Sequence, residues 1–287
     1  MNKPKVKGSS YWQEVPTFDE KDILASLEEK KGTSLFLGKF SMAGVFAVLK
    51  KRGFFKDAQK RKLWPLEFDL DSSQFPLQRF RVFYQKKQPE NMIMDLKIKE
   101  GTFRPPKTLS SSFAFSDCHL LILEWLTLQN PLLSFTEEKT PLPGQKYPGL
   151  NLGKKVLDIF IYLARLTKKD GILAFPAYFH NALLFSRYFH FINPEKQGEV
   201  LAIKKSFPDI SFKQLAWIIY LNCMKDKNGK TYEWMAEEQL YPLNKALKEY
   251  FESKSYNKRV EDIQQRSSLE IDWGCFEKKK KTQSLFI

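Results

Sequence analysis

Between two short apolar runs, His119 to Gln129 and Gly171 to Phe175, the chain carries a glycine-punctuated turn, Gln145 to Gly153, that leads directly into an amphipathic helix. No other stretch constrains the fold so tightly. After Gly153 the residues Val156, Leu157, Phe160, Ile161, Leu163 and Ala164 recur at spacings of three and four, the period of a helix with one buried face. The flanking runs are nearly continuous in apolar residues, as strands buried on both sides are. The predicted order is strand, turn, helix, strand. A helix that begins behind such a turn leaves its first N–H groups unpaired, and the positive end of its dipole points the same way, so the turn suits an anion such as phosphate. Gly149 and Gly153 would let a ligand come close, with Lys154 as a neighbouring charge. The bland alternative is a loop that only reverses the chain.

On these residues the chain resembles the GCN5-related N-acetyltransferase (GNAT) superfamily, whose members hold an acyl-CoA pyrophosphate on a turn of the form Arg/Gln-x-x-Gly-x-Gly/Ala. Here Pro148 stands for the Arg/Gln, Asn151 for the first glycine and Gly153 for the last, while Gly149 is an extra glycine. Asparagine tolerates the left-handed conformation glycine usually supplies, so the turn stays feasible. A second motif, His180 to Phe191, resembles the family's next helix, with Asn181 and Ala182 as its Asn-Ala pair; the family's tyrosine falls on Phe185 or Tyr188, and its glycine is absent. The resemblance spans residues 35 to 195.

The resemblance implies a mixed α/β (α+β) fold with a mostly antiparallel central sheet flanked by helices. It implies an acyl-CoA co-substrate, acetyl-CoA by default, and transfer to the nitrogen of an unidentified amine. The pyrophosphate would lie on Gly149, Leu150, Asn151, Leu152, Gly153 and Lys154, and Leu126, Leu128 and Asn181 would line the rest of the cofactor. The chain then divides into an arm and helix over 1–34, the GNAT-like unit over 35–195, and a C-terminal extension over 196–287.

Such chemistry needs a base for the amine and a proton donor for the departing thiolate. Glu124 is the candidate base, because it interrupts an apolar strand on what alternation makes the face of Leu120, Ile122, Leu126 and Leu128. The alternative has it at the solvent edge or paired with Arg79 or Arg81. Tyr188 is the candidate donor; with Phe185 in that place no hydroxyl is available. Asn181 reads as a helix N-cap or a contact to the cofactor arm. No metal site is expected, since His119 and His180 lack partners at ligand spacing, and Cys118 and His119, as strand neighbours, face opposite ways. Nucleophile-elbow, Walker and dinucleotide-binding motifs are absent from the sequence, which removes support for hydrolase, kinase and NAD readings.

Three unpaired cysteines fit a reduced, cytoplasmic protein, and no run is apolar and long enough to span a membrane. A net charge of +14 suggests an anionic partner. The second functional reading is therefore a catalytically inactive GNAT-fold module that binds an anionic partner through its basic surface. Nucleic acid is disfavoured, because the Lys/Arg residues are dispersed and the Arg79 to Tyr84 run reads as a packed strand.

Further elements are expected as helices over 19–31 and 41–52, with a helix-to-strand exit at Gly53. Strands are expected over 66–70, 78–85 and 92–99. Beyond residue 196, helices are expected over 212–224 and 244–252, a strand over 232–235, and a closing strand over 267–273.

Overall fold

The computed structural model describes residues 34–104 and 117–282. The helix expected over 19–31 lies outside them. Helix α1 (Met42–Lys51) is capped by Ser41, whose hydroxyl accepts from the Gly44 N–H. Gly53, at φ 72, does not release the chain into a strand but turns it into α2 (Phe54–Lys60). The reason is burial: Phe54, Phe55 and Ala58 all enter the core, and helical spacing places them together.

Then follow β1 (Leu66–Asp71), β2 (Gln78–Tyr84), β3 (Met92–Phe103) and β4 (Cys118–Leu128) as antiparallel neighbours. The helix after the glycine turn, α3 (Gly153–Leu166), leads back to β5 (Gly171–Ala174), which pairs parallel with β4 from Leu120 to Leu123. Next come α4 (Phe179–Phe185), β6 (His190–Phe191), α5 (Pro194–Ser206) and α6 (Phe212–Tyr220). The chain closes with β7 (Met224–Asp226), β8 (Gln239–Pro242), α7 (Lys245–Glu252), α8 (Lys254–Arg266), β9 (Leu269–Ile271) and α9 (Trp273–Thr282).

The central sheet runs β1-β2-β3-β4-β5-β8-β6, and among the described residues β4–β5 is its one parallel pair. The expected mixed α/β fold with a mostly antiparallel sheet is thus what the chain adopts. One sheet face, with Phe80, Val82, Leu96, Leu121 and Leu123, packs on α1, α2 and α3. The other, with Leu120, Ile122, Leu173 and Leu240, packs on α7 and α8 through Leu247, Tyr250, Phe251 and Tyr256. A third core joins α4, α5 and α6 to Phe276 of α9.

The C-terminal region departs most from expectation. No strand forms over 232–235, and the expected closing strand is reduced to Leu269–Ile271, which pairs with β7 in a separate two-stranded sheet. β8 enters the central sheet between β5 and β6, so the sheet crosses the boundary expected at residue 195. The same packing brings Cys223 and Cys275, distant in sequence, to Sγ–Sγ 2.7 Å as free thiols.

Candidate functional site

The glycine turn is anchored at both ends. Gln129 at the end of β4 bridges to Gly149, and the Asn130 N–H donates to the Pro148 carbonyl at 2.7 Å. Leu150 and Leu152 are buried, while Asn151, Gly153 and Lys154 between and after them face solvent. Asn151 takes φ 55, the left-handed conformation that the turn demands of a non-glycine residue. The Arg61 guanidinium fastens the turn to α2, donating through Nε to the Leu150 carbonyl at 3.0 Å and through Nη1 to the Asp57 carbonyl at 3.0 Å.

Helix α3 then starts without a side-chain cap, since Leu152 occupies the N-cap position. Its first N–H groups are left for an external acceptor, and a Cβ placed on Gly153 would meet nothing within 4 Å. Lys155 is already committed to an ion pair with Asp57, whose carboxyl that hydrogen bond holds below the usual carboxylate range. Lys154, just past the turn, is exposed and has no ion-pair partner among the described residues.

Strand β4 carries a feature that simple alternation misses. Ile98 pairs with Leu123 and Lys97 with Trp125, so Glu124 is the extra residue of a β-bulge. The bulge shifts the alternation: Leu126 and Leu128 join Leu121 and Leu123 on the α3 side, whereas Leu120 and Ile122 face the opposite core. Glu124 accordingly does not sit on one apolar face with all four. It is half-buried, and its carboxylate pairs with Lys99 Nζ at 2.5 Å rather than with Arg79 or Arg81, which pair with Asp95 and Asp69. Strand β5 ends at Ala174, opposite Leu123, so β4 from the bulge at Glu124 to Leu128 runs on past it without a β5 neighbour.

Helix α4 is shorter than expected. It ends at Phe185, with Ser186 Oγ donating to the Leu183 carbonyl at 2.8 Å, because the chain turns to drive Phe189 into the core. Phe185 is spent on packing, its ring 5.5 Å from that of Phe189. Tyr188 lies in the turn beyond the helix, half-buried, its hydroxyl without a hydrogen-bond partner among the described residues. Asn181 is not the N-cap. Tyr178 holds that position, and Asn181 sits half-buried in the first turn.

Beyond β5 a cavity of about 260 Å³ opens between the start of α4 and the end of α6, with Pro143 of the loop before the glycine turn in its wall. His180, 3% exposed, lines it, and burial pushes its imidazole down to about 4. Periodicity could not have revealed this cavity, which is assembled from four separate segments. Among the described residues no three His, Cys, Asp or Glu side chains gather as a metal site, and no helix is long and apolar enough to cross a membrane.

Neither a protein-family profile nor a curated protein matches the chain. Two solved structures are similar in part. A crystal structure of a point mutant of KacT aligns over 80% of this chain and 96% of its own, at TM-score 0.29 and 10% identity. AtaT complexed with acetyl-methionyl-tRNAfMet aligns over 56% of this chain and 84% of its own, at TM-score 0.25 and 12% identity. Overlays this loose carry no argument, and the functional reading rests on the site itself.

Proposed function

We propose that the chain is a GNAT-like acyl-CoA-dependent N-acyltransferase, with acetyl-CoA as the default donor. The observation that carries the reading is that β4 outruns its parallel neighbour β5 at a bulge and, through the Gln129–Gly149 bridge, reaches the turn that opens the uncapped helix α3. A strand that outruns its neighbour leaves main-chain hydrogen-bonding groups for an extended ligand arm, and an open helix N-terminus accepts a phosphate. The residues present fit the group: Asn151 shapes the turn, Gly153 leaves space in front of the α3 N–H groups, and Lys154 adds an exposed positive charge.

In this reading the main chain of Gly149 to Lys154, through Leu150, Asn151 and Leu152, holds the pyrophosphate. Leu126 and Leu128 offer their main-chain edge to the arm, and Asn181 is assigned a contact with it. When bound, acyl-CoA supplies an activated thioester. Glu124 takes the proton that the acceptor amine gives up, with Lys99 holding its carboxylate in place until the amine arrives. The Tyr188 hydroxyl donates a proton to the departing sulfur.

The Glu124–Lys99 ion pair also favours a second reading, in which the base is permanently occupied and the fold serves as a binding module for an anionic partner.

A CoA titration followed by thermal denaturation tests the anion site. At a hundred times its dissociation constant CoA should add about 2.7 kcal/mol of apparent stability. Gly153→Val should abolish that shift while the unliganded protein melts as before, because the new side chain enters space that is open in the protein alone. A full shift in the variant overturns the site. A normal shift with no product from any amine in a broad panel selects the binding module.

A further inference from the structure

The cavity beyond β5 is built unlike the anion turn. Tyr178, Tyr220 and Trp234 turn aromatic rings toward it, and the rings of Tyr178 and Tyr220 stand 5.9 Å apart. His180 stacks on Tyr178 at 5.3 Å, and its ring nitrogens have no hydrogen-bond partner among the described residues although the side chain is 97% removed from solvent. An imidazole that lines the cavity and has no protein partner among the described residues leaves a polar group that a ligand in the cavity can reach. Being neutral, it offers one acceptor nitrogen as well as one donor.

The charge points the same way. Of the lining residues only Glu233 is charged, and it has no ion-pair partner among the described residues. This is a carboxylate at the mouth of an aromatic cavity on a chain of net charge +14. Lys196, whose Nζ lies 4.4 Å from the Trp234 ring, is matched by Glu199 at 2.6 Å. Aromatic faces with an acidic rim attract an organic cation, through the ring quadrupoles and the carboxylate together. The volume sits just below the usual range of small-molecule sites, about 300–1,000 Å³.

We propose that this cavity binds a small organic ammonium ion, held between Tyr178, Tyr220 and Trp234, with Glu233 as its counter-charge and His180 accepting a hydrogen bond from it. The loop that ends in the glycine turn supplies Pro143 to the cavity wall and packs Gly144 against Tyr178, so one segment serves both sites. Assigning this ammonium as the acyl acceptor rests on the acyltransferase reading; its binding does not.

Isothermal titration at pH 7.5, without CoA, should distinguish phenethylamine from its uncharged analogue 2-phenylethanol and its anionic analogue phenylacetate. Phenethylamine should bind saturably and about tenfold or more tighter than the alcohol, a difference of about 1.4 kcal/mol, and phenylacetate should not bind. Glu233→Gln should erase the preference for the amine while leaving the alcohol's affinity unchanged. Tyr220→Ala, at a position 48% exposed and therefore tolerant of truncation, should weaken both. No saturable binding of phenethylamine, equal affinity for the three compounds, or an unaltered preference in Glu233→Gln would each overturn the proposal. A CoA melting shift recorded on the same protein keeps the two readings apart: its loss condemns the acyltransferase and leaves ammonium binding standing.

Discussion

Lowering the pH should expose His180 as a liability to the folded state. Its imidazole is held near 4 by burial, against an ordinary value of 6.5. Above pH 6.5 both folded and unfolded chains keep it neutral, and it costs nothing. As the pH falls below 6.5 the unfolded chain binds a proton that the folded chain refuses, so stability is lost progressively until the pH reaches the folded value near 4. Between pH 7.5 and pH 4.5 these two values give a loss of about 2.5 kcal/mol from this residue alone. Urea unfolding at both pH values, for the wild type and for His180→Gln, isolates the contribution. Other groups change stability equally in the two proteins, so the gap between them should shift by about 2.5 kcal/mol in favour of the variant at pH 4.5. A change in that gap below about 0.5 kcal/mol, or an NMR titration of His180 centred near 6.5, would refute the burial argument.

Glu124→Gln should lower turnover by about a hundredfold at neutral pH with the CoA melting shift intact, and activity within a few-fold of wild type would return Glu124 to its ion pair with Lys99. Tyr188→Phe should reduce acyl transfer by about tenfold to a hundredfold without altering the melting temperature, since its hydroxyl has no partner to lose; an unchanged rate removes it from the chemistry. Gly198→Ala should destabilise by about 1–3 kcal/mol in chemical denaturation, because a Cβ there would stand 2.6 Å from the Val260 carbonyl oxygen and 2.8 Å from the Ile263 Cβ where α5 and α8 meet; wild-type stability would show that the helices separate freely.

Periodicity made strands β1 to β5 and helix α3 legible because these elements are amphipathic or continuously apolar, whereas the strand expected after Gly53 is the helix α2. The three strands before β4, β4 itself, α3 and β5 all lie where apolar spacing put them. The bulge was invisible: a single extra residue leaves composition unchanged yet moves Leu126 and Leu128 to the other face from Leu120 and Ile122. The end of α4 was misread because helical spacing continues through Tyr188, whereas the buried Phe189 forces a turn after Phe185. β8 escaped notice because it is four residues long and carries Gln239 and Pro242, neither a residue that advertises a strand. Gln239 is nonetheless wholly buried, its amide donating to the Ala182 carbonyl at 3.2 Å. The cavity and the Cys223–Cys275 pair depend on contacts between distant segments, which no local pattern encodes.

The insertion of β8 between β5 and β6 sets the order in which this protein can be made. During synthesis β5 emerges about seventy residues before Leu240 to Pro242, and until they arrive one side of β5 is a bare edge in the middle of the future sheet. Closing so long a loop is slow compared with forming the helices between, so the nascent chain passes through a stage in which a strand buried at every residue in the finished fold offers unpaired backbone to any other chain. A fragment ending at residue 195 would be caught at that stage, and its expected fate is aggregation rather than a smaller folded protein.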